Sequence, residues 1–238
     1  MAVRYWPYPF WGARMDQTTG LTSDDWIVVA WHTRDEKYTS LARKLGDQLS
    51  AFGAPHVLYD VDRGNRSWIQ TIKAMKPAIV QRALDEHPGK IIILMDVDCN
   101  IHARLEPLAE RVGTADLAIN LMRKRKRGLT SGNCYVTTRV MGFNDTARTK
   151  ALLQYWGRIC RTSVDDGETE ETLLAHAITE GPCNVHMVTV PAAYGGLETH
   201  DAPPLAAITH VSANAETHPT WKHLEQRIRV GFRKLSAR

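Results

Sequence analysis

Ile91-Ile92-Ile93-Leu94-Met95-Asp96-Val97-Asp98 is the stretch whose reading decides the fold. Five apolar residues, preceded by the turn signal Pro88-Gly89, predict a strand buried on both faces, as in the middle of a parallel sheet. Two carboxylates follow at once. In an extended chain residues i and i+2 face the same side, so Asp96 and Asp98 are expected to converge just past the strand's carboxyl end. Open α/β sheets bind their ligands there. Two anions so close repel, and the natural partner is a hard divalent cation that also bridges phosphate oxygens. The plainer alternative is a strand end followed by a solvated acidic turn.

Upstream, Trp26-Ile27-Val28-Val29-Ala30-Trp31 predicts a buried strand ending at His32-Thr33-Arg34-Asp35. Tyr38, Leu41, Ala42, Leu45, Leu49 and Phe52 then recur at helical spacing until Gly53 and Pro55 stop the pattern, and Val57-Leu58-Tyr59 is a second short strand. This β-α-β order implies parallel pairing, with the loop after the first strand at the ligand-binding rim. No G-x-G-x-x-G accompanies it. A polar loop over residues 60–67 leads to Trp68 and a helical segment. Lys76-Pro77 is expected to open another helix, with Ile79, Val80, Ala83 and Leu84 on its apolar face.

Downstream, Asp116-Leu117-Ala118-Ile119-Asn120-Leu121 reads as a strand and Ser131-Gly132-Asn133-Cys134-Tyr135-Val136-Thr137-Thr138 as an extended return strand. Asn144 or Asp145 is expected to cap a helix that buries Ala147, Ala151, Leu152, Tyr155, Trp156 and Ile159. A shorter helix carries Glu170-Glu171. Residues 185–190 form a strand, and Ile208-Thr209-His210-Val211 a last one.

The 238 residues, 43% hydrophobic and 24% charged, suit one large domain over residues 26–215. Residues 1–25 form an aromatic arm around Tyr5-Trp6-Pro7-Tyr8-Pro9-Phe10-Trp11, and residues 216–238 a basic helix or tail. A net charge of +4 is mild, so an anionic partner must be argued from where charge concentrates. It concentrates in Arg123-Lys124-Arg125-Lys126-Arg127. No apolar run reaches membrane-spanning length and no signal-peptide pattern opens the chain, so a cytoplasmic protein is expected, in the host cytoplasm if phage-encoded. Cys99, Cys134, Cys160 and Cys183 lack any C-x-x-C spacing and are read as reduced.

In this order the motifs resemble the GT-A glycosyltransferases, in particular the bacterial and phage nucleotide-diphospho-sugar transferases. Asp96-Val97-Asp98 resembles their D-x-D, Lys76-Pro77 their K-P, Ser131-Gly132-Asn133 their S-G-(T/N) beside the sugar, and Ile208-Thr209-His210-Val211-Ser212-Ala213 their I-x-H-x-x-A. Glu170-Glu171 stands where relatives often show D-Q. The resemblance implies a single α/β domain with a mixed, mostly parallel Rossmann-like sheet flanked by helices.

It further implies a manganese or magnesium ion on Asp98, Asp96 and His210. The donor is a nucleotide-diphosphate sugar, a UDP-sugar in the first instance, contacted by Thr33, Lys76, Asp96, Ser131 and Gly132. Asp96 and Asp98 then act at the reacting centre, and Glu170, Glu171 or Asp166 is the candidate general base or oxocarbenium stabiliser. The five cations from Arg123 to Arg127, with the basic tail, suggest a nucleic-acid acceptor: the hydroxyl of a hydroxymethylated pyrimidine in phage-type double-stranded DNA. A glycan, a protein or a small molecule are the rival acceptors. From other classes, a haloacid-dehalogenase-like phosphatase or a non-catalytic DNA-binding protein are the alternatives.

Overall fold

The computed structural model describes residues 20–123, 134–163, 168–199, 202 and 205–211. Most of the aromatic arm, Lys124 to Arg127, Ser131, Gly132, Asp166 and the basic tail lie outside the described residues, as does the side chain of Arg123.

The apolar runs become the inner strands. β1 (Trp26–Thr33) is buried along nearly its whole length and is followed by α1 (Glu36–Ala51). Asp35 caps that helix by accepting the Tyr38 N–H at 3.1 Å, and Thr33 donates its hydroxyl to the same carboxylate. Next come β2 (His56–Val61), α2 (Trp68–Glu86) and β3 (Ile91–Met95), whose five residues are all buried. β4 (Cys99–Ile101), α3 (Glu106–Gly113), β5 (Leu117–Arg123) and β6 (Cys134–Phe143) follow. The chain continues with α4 (Ala147–Thr162), α5 (Glu170–Glu180), β7 (Met187–Thr189), β8 (Leu197–Glu198) and β9 (Ile208–His210).

The main sheet has the order β2-β1-β3-β6-β5-β7. β1 pairs in parallel with both β2 and β3, β5 with β7, and only β6 runs against its neighbours β3 and β5. Helices cover both faces. Leu45 and Leu49 of α1 and Leu108 and Val112 of α3 pack on one side, while Val80 and Leu84 of α2, Leu152 and Trp156 of α4 and Leu174 of α5 pack on the other. This is the mixed, mostly parallel α/β architecture expected. A second sheet, β4-β9-β8, lies past the end of β3.

Three expectations about elements are corrected. Lys76-Pro77 does not open a helix, because α2 starts at a capping box on Ser67 and Gln70 and runs through Pro77. The missing proline N–H costs a helical hydrogen bond. Burial of Ile79, Val80, Ala83 and Leu84 on the continuation outweighs it, and the proline ring rests against Gly157 of α4, where a β-carbon would sit 3.7 Å from it. The cap of α4 is Thr146, not Asn144 or Asp145: its side chain accepts the Thr149 N–H at 3.1 Å. Asp145 instead pairs with Lys150 at 2.6 Å. Finally, the strand expected over residues 185–190 shortens to Met187–Thr189.

Candidate active site

The Asp96 N–H donates to the Arg139 carbonyl at 2.9 Å, extending the β3–β6 ladder one step beyond β3. The chain then turns, closed by the Cys99 N–H on the Asp96 carbonyl at 3.1 Å. The two carboxylates therefore meet across a turn and not along an extended pleat, a correction to the sequence argument that leaves its outcome intact. The turn exists because β4 leaves the main sheet to pair with β9. Cys99 lies opposite His210 in that pairing, and the Val211 N–H donates to the Asp98 carbonyl at 3.1 Å. Residues far apart in sequence are thereby joined: His210 Nε2 lies 2.9 Å from Asp98 Oδ1. Asp96, Asp98 and His210 each offer one ligand atom, and these atoms lie within 4.8 Å of one another. Two carboxylates with one imidazole fit a hard or borderline divalent ion such as magnesium or manganese better than a thiolate-seeking metal.

α2 delivers a cation to the same place. Lys76 is buried, with Nζ 3.0 Å from Asp96 Oδ1 and 3.1 Å from Glu170 Oε1, and it donates to Thr138 Oγ1 at 2.7 Å. The Thr138 hydroxyl donates in turn to Glu170 at 2.9 Å, while its N–H donates to Glu171 Oε1 at 3.2 Å. Glu170 thus faces the metal cluster from the first turn of α5, and Glu171 is tied to the backbone of β6. Burial by itself pushes the Lys76 ammonium down, but the charges of Asp96 and Glu170 outweigh it and hold the group above the usual lysine range. For Asp96, burial is the main cause of a shift upward, and the Asp98 charge adds to it against the pull of Lys76. Lys76 was expected at the donor phosphates; all of its N–H groups are engaged by acids and a threonine.

Above these groups a cleft of about 200 Å³ opens, walled by Trp31, Tyr38 and Trp68. Tyr38 stacks on Trp68 with ring centroids 4.8 Å apart and planes 23° from parallel. Its phenol is pushed up to about 12, first by burial and then by Asp98, Asp35 and Asp96, so it stays neutral. Thr33 is buried and its hydroxyl serves Asp35, while its neighbour His32 lines the cleft. The aromatic wall was not foreseen as part of the site. Trp31 and Tyr38 read as strand and helix core residues, and only the position of Trp68 after a polar loop hinted at more. A larger hollow of about 700 Å³ between α2 and α4 carries none of the clustered acids or His210.

Among solved structures, the chain superposes on a glycosyltransferase involved in the glycosylation of the major capsid of PBCV-1, with a TM-score of 0.57 over 78% of this chain and 94% of that one, at 10% identity. The chain has a glycosyltransferase fold. It also superposes on the galactosyltransferase LgtC in complex with donor and acceptor sugar analogs, with a TM-score of 0.51 over 78% of this chain and 87% of that one, again at 10% identity. No family model and no curated protein matches the sequence. Within the glycosyltransferase fold, of the GT-A kind, the Asp96-Val97-Asp98 cluster fits the D-x-D pattern. Among the described residues no helix is long and apolar enough to cross a membrane.

Proposed function

We propose that the protein is a metal-dependent glycosyltransferase that moves a sugar from a nucleotide-diphosphate sugar, a UDP-sugar in the first instance, to a hydroxyl acceptor. The observation that carries this reading is the convergence of Asp96, Asp98 and His210 within 4.8 Å in a cleft of this fold. Asp96, Asp98 and His210 would hold a manganese or magnesium ion, which would supply Lewis-acid neutralisation of the departing diphosphate. The chain's own groups do the rest. Trp31 and the stacked pair Tyr38 and Trp68 line the cleft with aromatic surface for the donor's base, and Thr33 anchors the loop beneath it through Asp35. Glu170 presents a carboxylate where positive charge grows on the sugar carbon or where an acceptor hydroxyl sheds its proton. Glu171 holds β6 in place. Ser131 and Gly132 are assigned to the sugar side by the order of motifs alone.

For the acceptor, the reading is a hydroxymethylated pyrimidine in double-stranded DNA, with Arg123, Lys124, Arg125, Lys126 and Arg127 on its phosphates. What supports it, besides charge, is the direction of β5. Both β3 and β5 run antiparallel to β6, so β5 runs toward the end of the sheet that bears Asp96 and passes it, with Arg123 opposite Cys134, five residues along β6 from the Arg139 that pairs with Asp96.

The test is a panel of nucleotide-diphosphate sugars incubated with and without manganese, followed by transfer to hydroxymethylated and unmodified duplex DNA across a salt series. The expected result is manganese-dependent release of nucleoside diphosphate from at least one donor, and transfer to modified DNA only. Binding should weaken steeply with salt, and neutralising Arg123 to Arg127 should flatten that slope. No release from any donor overturns the enzyme reading. Release with transfer only to a glycan or small molecule overturns the DNA acceptor and leaves the donor reading standing.

A further inference from the structure

Lys76, read from its motif as a donor contact, has its ammonium engaged by groups of the protein itself. Its side chain is 6% exposed, and its ammonium sits between Asp96 Oδ1 at 3.0 Å and Glu170 Oε1 at 3.1 Å, with Thr138 Oγ1 at 2.7 Å. An ammonium has three N–H donors, and these acceptors, with the Thr138 carbonyl at 3.3 Å, account for them. A phosphate could be reached only by breaking one of these contacts.

The charges around it explain why it is there. Asp96, Asp98 and Glu170 are three carboxylates crowded around one cleft, each with a side chain no more than 25% exposed. Without a cation they would repel at short range in a medium that screens poorly. With Lys76 the four groups carry two net negative charges, the complement of one divalent ion. The ammonium contacts a metal-ligating acid on one side and the sugar-facing acid on the other.

We propose that Lys76 is a positioning residue and built-in counter-cation: it holds Asp96 and Glu170 together in the metal-free protein and restrains how strongly the acidic cluster attracts a divalent ion. This rests on the reading that Asp96, Asp98 and His210 form the metal site. The consequence runs against intuition for a residue beside a metal. Removing Lys76 leaves one more uncompensated negative charge, so a divalent ion binds more tightly, while the metal-free protein becomes less stable.

The experiment is a titration of the full-length chain with manganese alone, followed by calorimetry and by the paramagnetic signal of free ion, with melting temperatures recorded with and without saturating manganese. Lys76→Met keeps the length of the side chain and removes its charge. It is expected to bind manganese about tenfold more tightly than wild type, to melt lower without metal, and to recover most of that loss when metal saturates. Glu170→Gln should do the reverse and weaken manganese binding, because the ammonium then faces one carboxylate fewer. The double variant restores the wild-type charge and should bind near the wild-type level. If Lys76→Met does not fold, Glu170→Gln alone decides. Unchanged or weaker manganese binding in Lys76→Met, or unchanged binding in Glu170→Gln, overturns the proposal. Asp98→Ala in the same titration separates the two readings: if it binds manganese as wild type does, the metal site itself is misassigned.

Discussion

Replacing Asp98 with alanine is expected to lower metal-dependent cleavage of the nucleotide sugar on the order of 10³-fold, with a melting temperature that stays close to wild type. The loss is large because the substitution deletes a ligand and leaves His210 Nε2 without the carboxylate 2.9 Å away. The fold survives because what Asp98 contributes to architecture is its backbone. The carbonyl that accepts the Val211 N–H at 3.1 Å is unaltered, and the β4–β9 pairing beyond it does not involve the side chain. Deleting one of two neighbouring carboxylates also removes a repulsion from the metal-free state. Assays at saturating manganese with circular-dichroism melts of both proteins check this. Full activity in the variant would place the chemistry elsewhere.

The largest effect on stability is expected outside the cleft, at Asp116. Its side chain is 2% exposed and receives the Thr146 hydroxyl, the Arg148 Nε and the His186 N–H, each at 2.7 Å. One carboxylate thereby ties the start of α4 and the segment entering β7 to the base of β5. Asp116→Ala leaves the part-buried His186 N–H and Thr146 hydroxyl without this acceptor, while the exposed Arg148 guanidinium stays solvated, and is expected to cost about 2–3 kcal/mol. Burial alone would raise this carboxyl, but the bonds from Arg148, His186 and Thr146 outweigh it and hold it below the usual carboxylate range. A depressed acid stabilises the fold where it is ionised, so this contribution is complete at neutral pH and fades as pH falls through and below that range. Denaturant titrations should therefore show the gap between wild type and Asp116→Ala narrowing on acidification. A gap that is small at neutral pH, or constant with pH, would mean that Asp116 is not the tie described.

What was legible in the sequence is what depends on local pattern. β1 and β3 announce themselves because strands buried on both faces must be continuously apolar, and the acids after β3 then mark the ligand edge of the sheet. The motif order led from there to His210 and Glu170, both of which reach the cleft. What was not legible depends on distant partners. Pro77 looked like a helix start because proline is favoured in a first turn, and α2 continues through it because of burial and packing against α4 that no local pattern shows. The turn between Asp96 and Cys99 was read as extended strand because nothing local reveals that β4 must depart to meet β9. The burial of Lys76 was not legible, since an ammonium can be buried only if acids from elsewhere in the chain converge on it. Trp31 and Tyr38 looked like core residues because their apolar bodies satisfy the strand and helix periodicities whether or not one face is left open.

The most direct test of the central claim is to locate the ion. Crystals grown with manganese and a nucleoside diphosphate, measured at a wavelength where manganese scatters anomalously, should show one strong peak within coordination distance of Asp96, Asp98 and His210 Nε2, bridged to the diphosphate oxygens. A diphosphate bound in the cleft with no manganese at these three residues, or manganese held by other residues, would contradict the account.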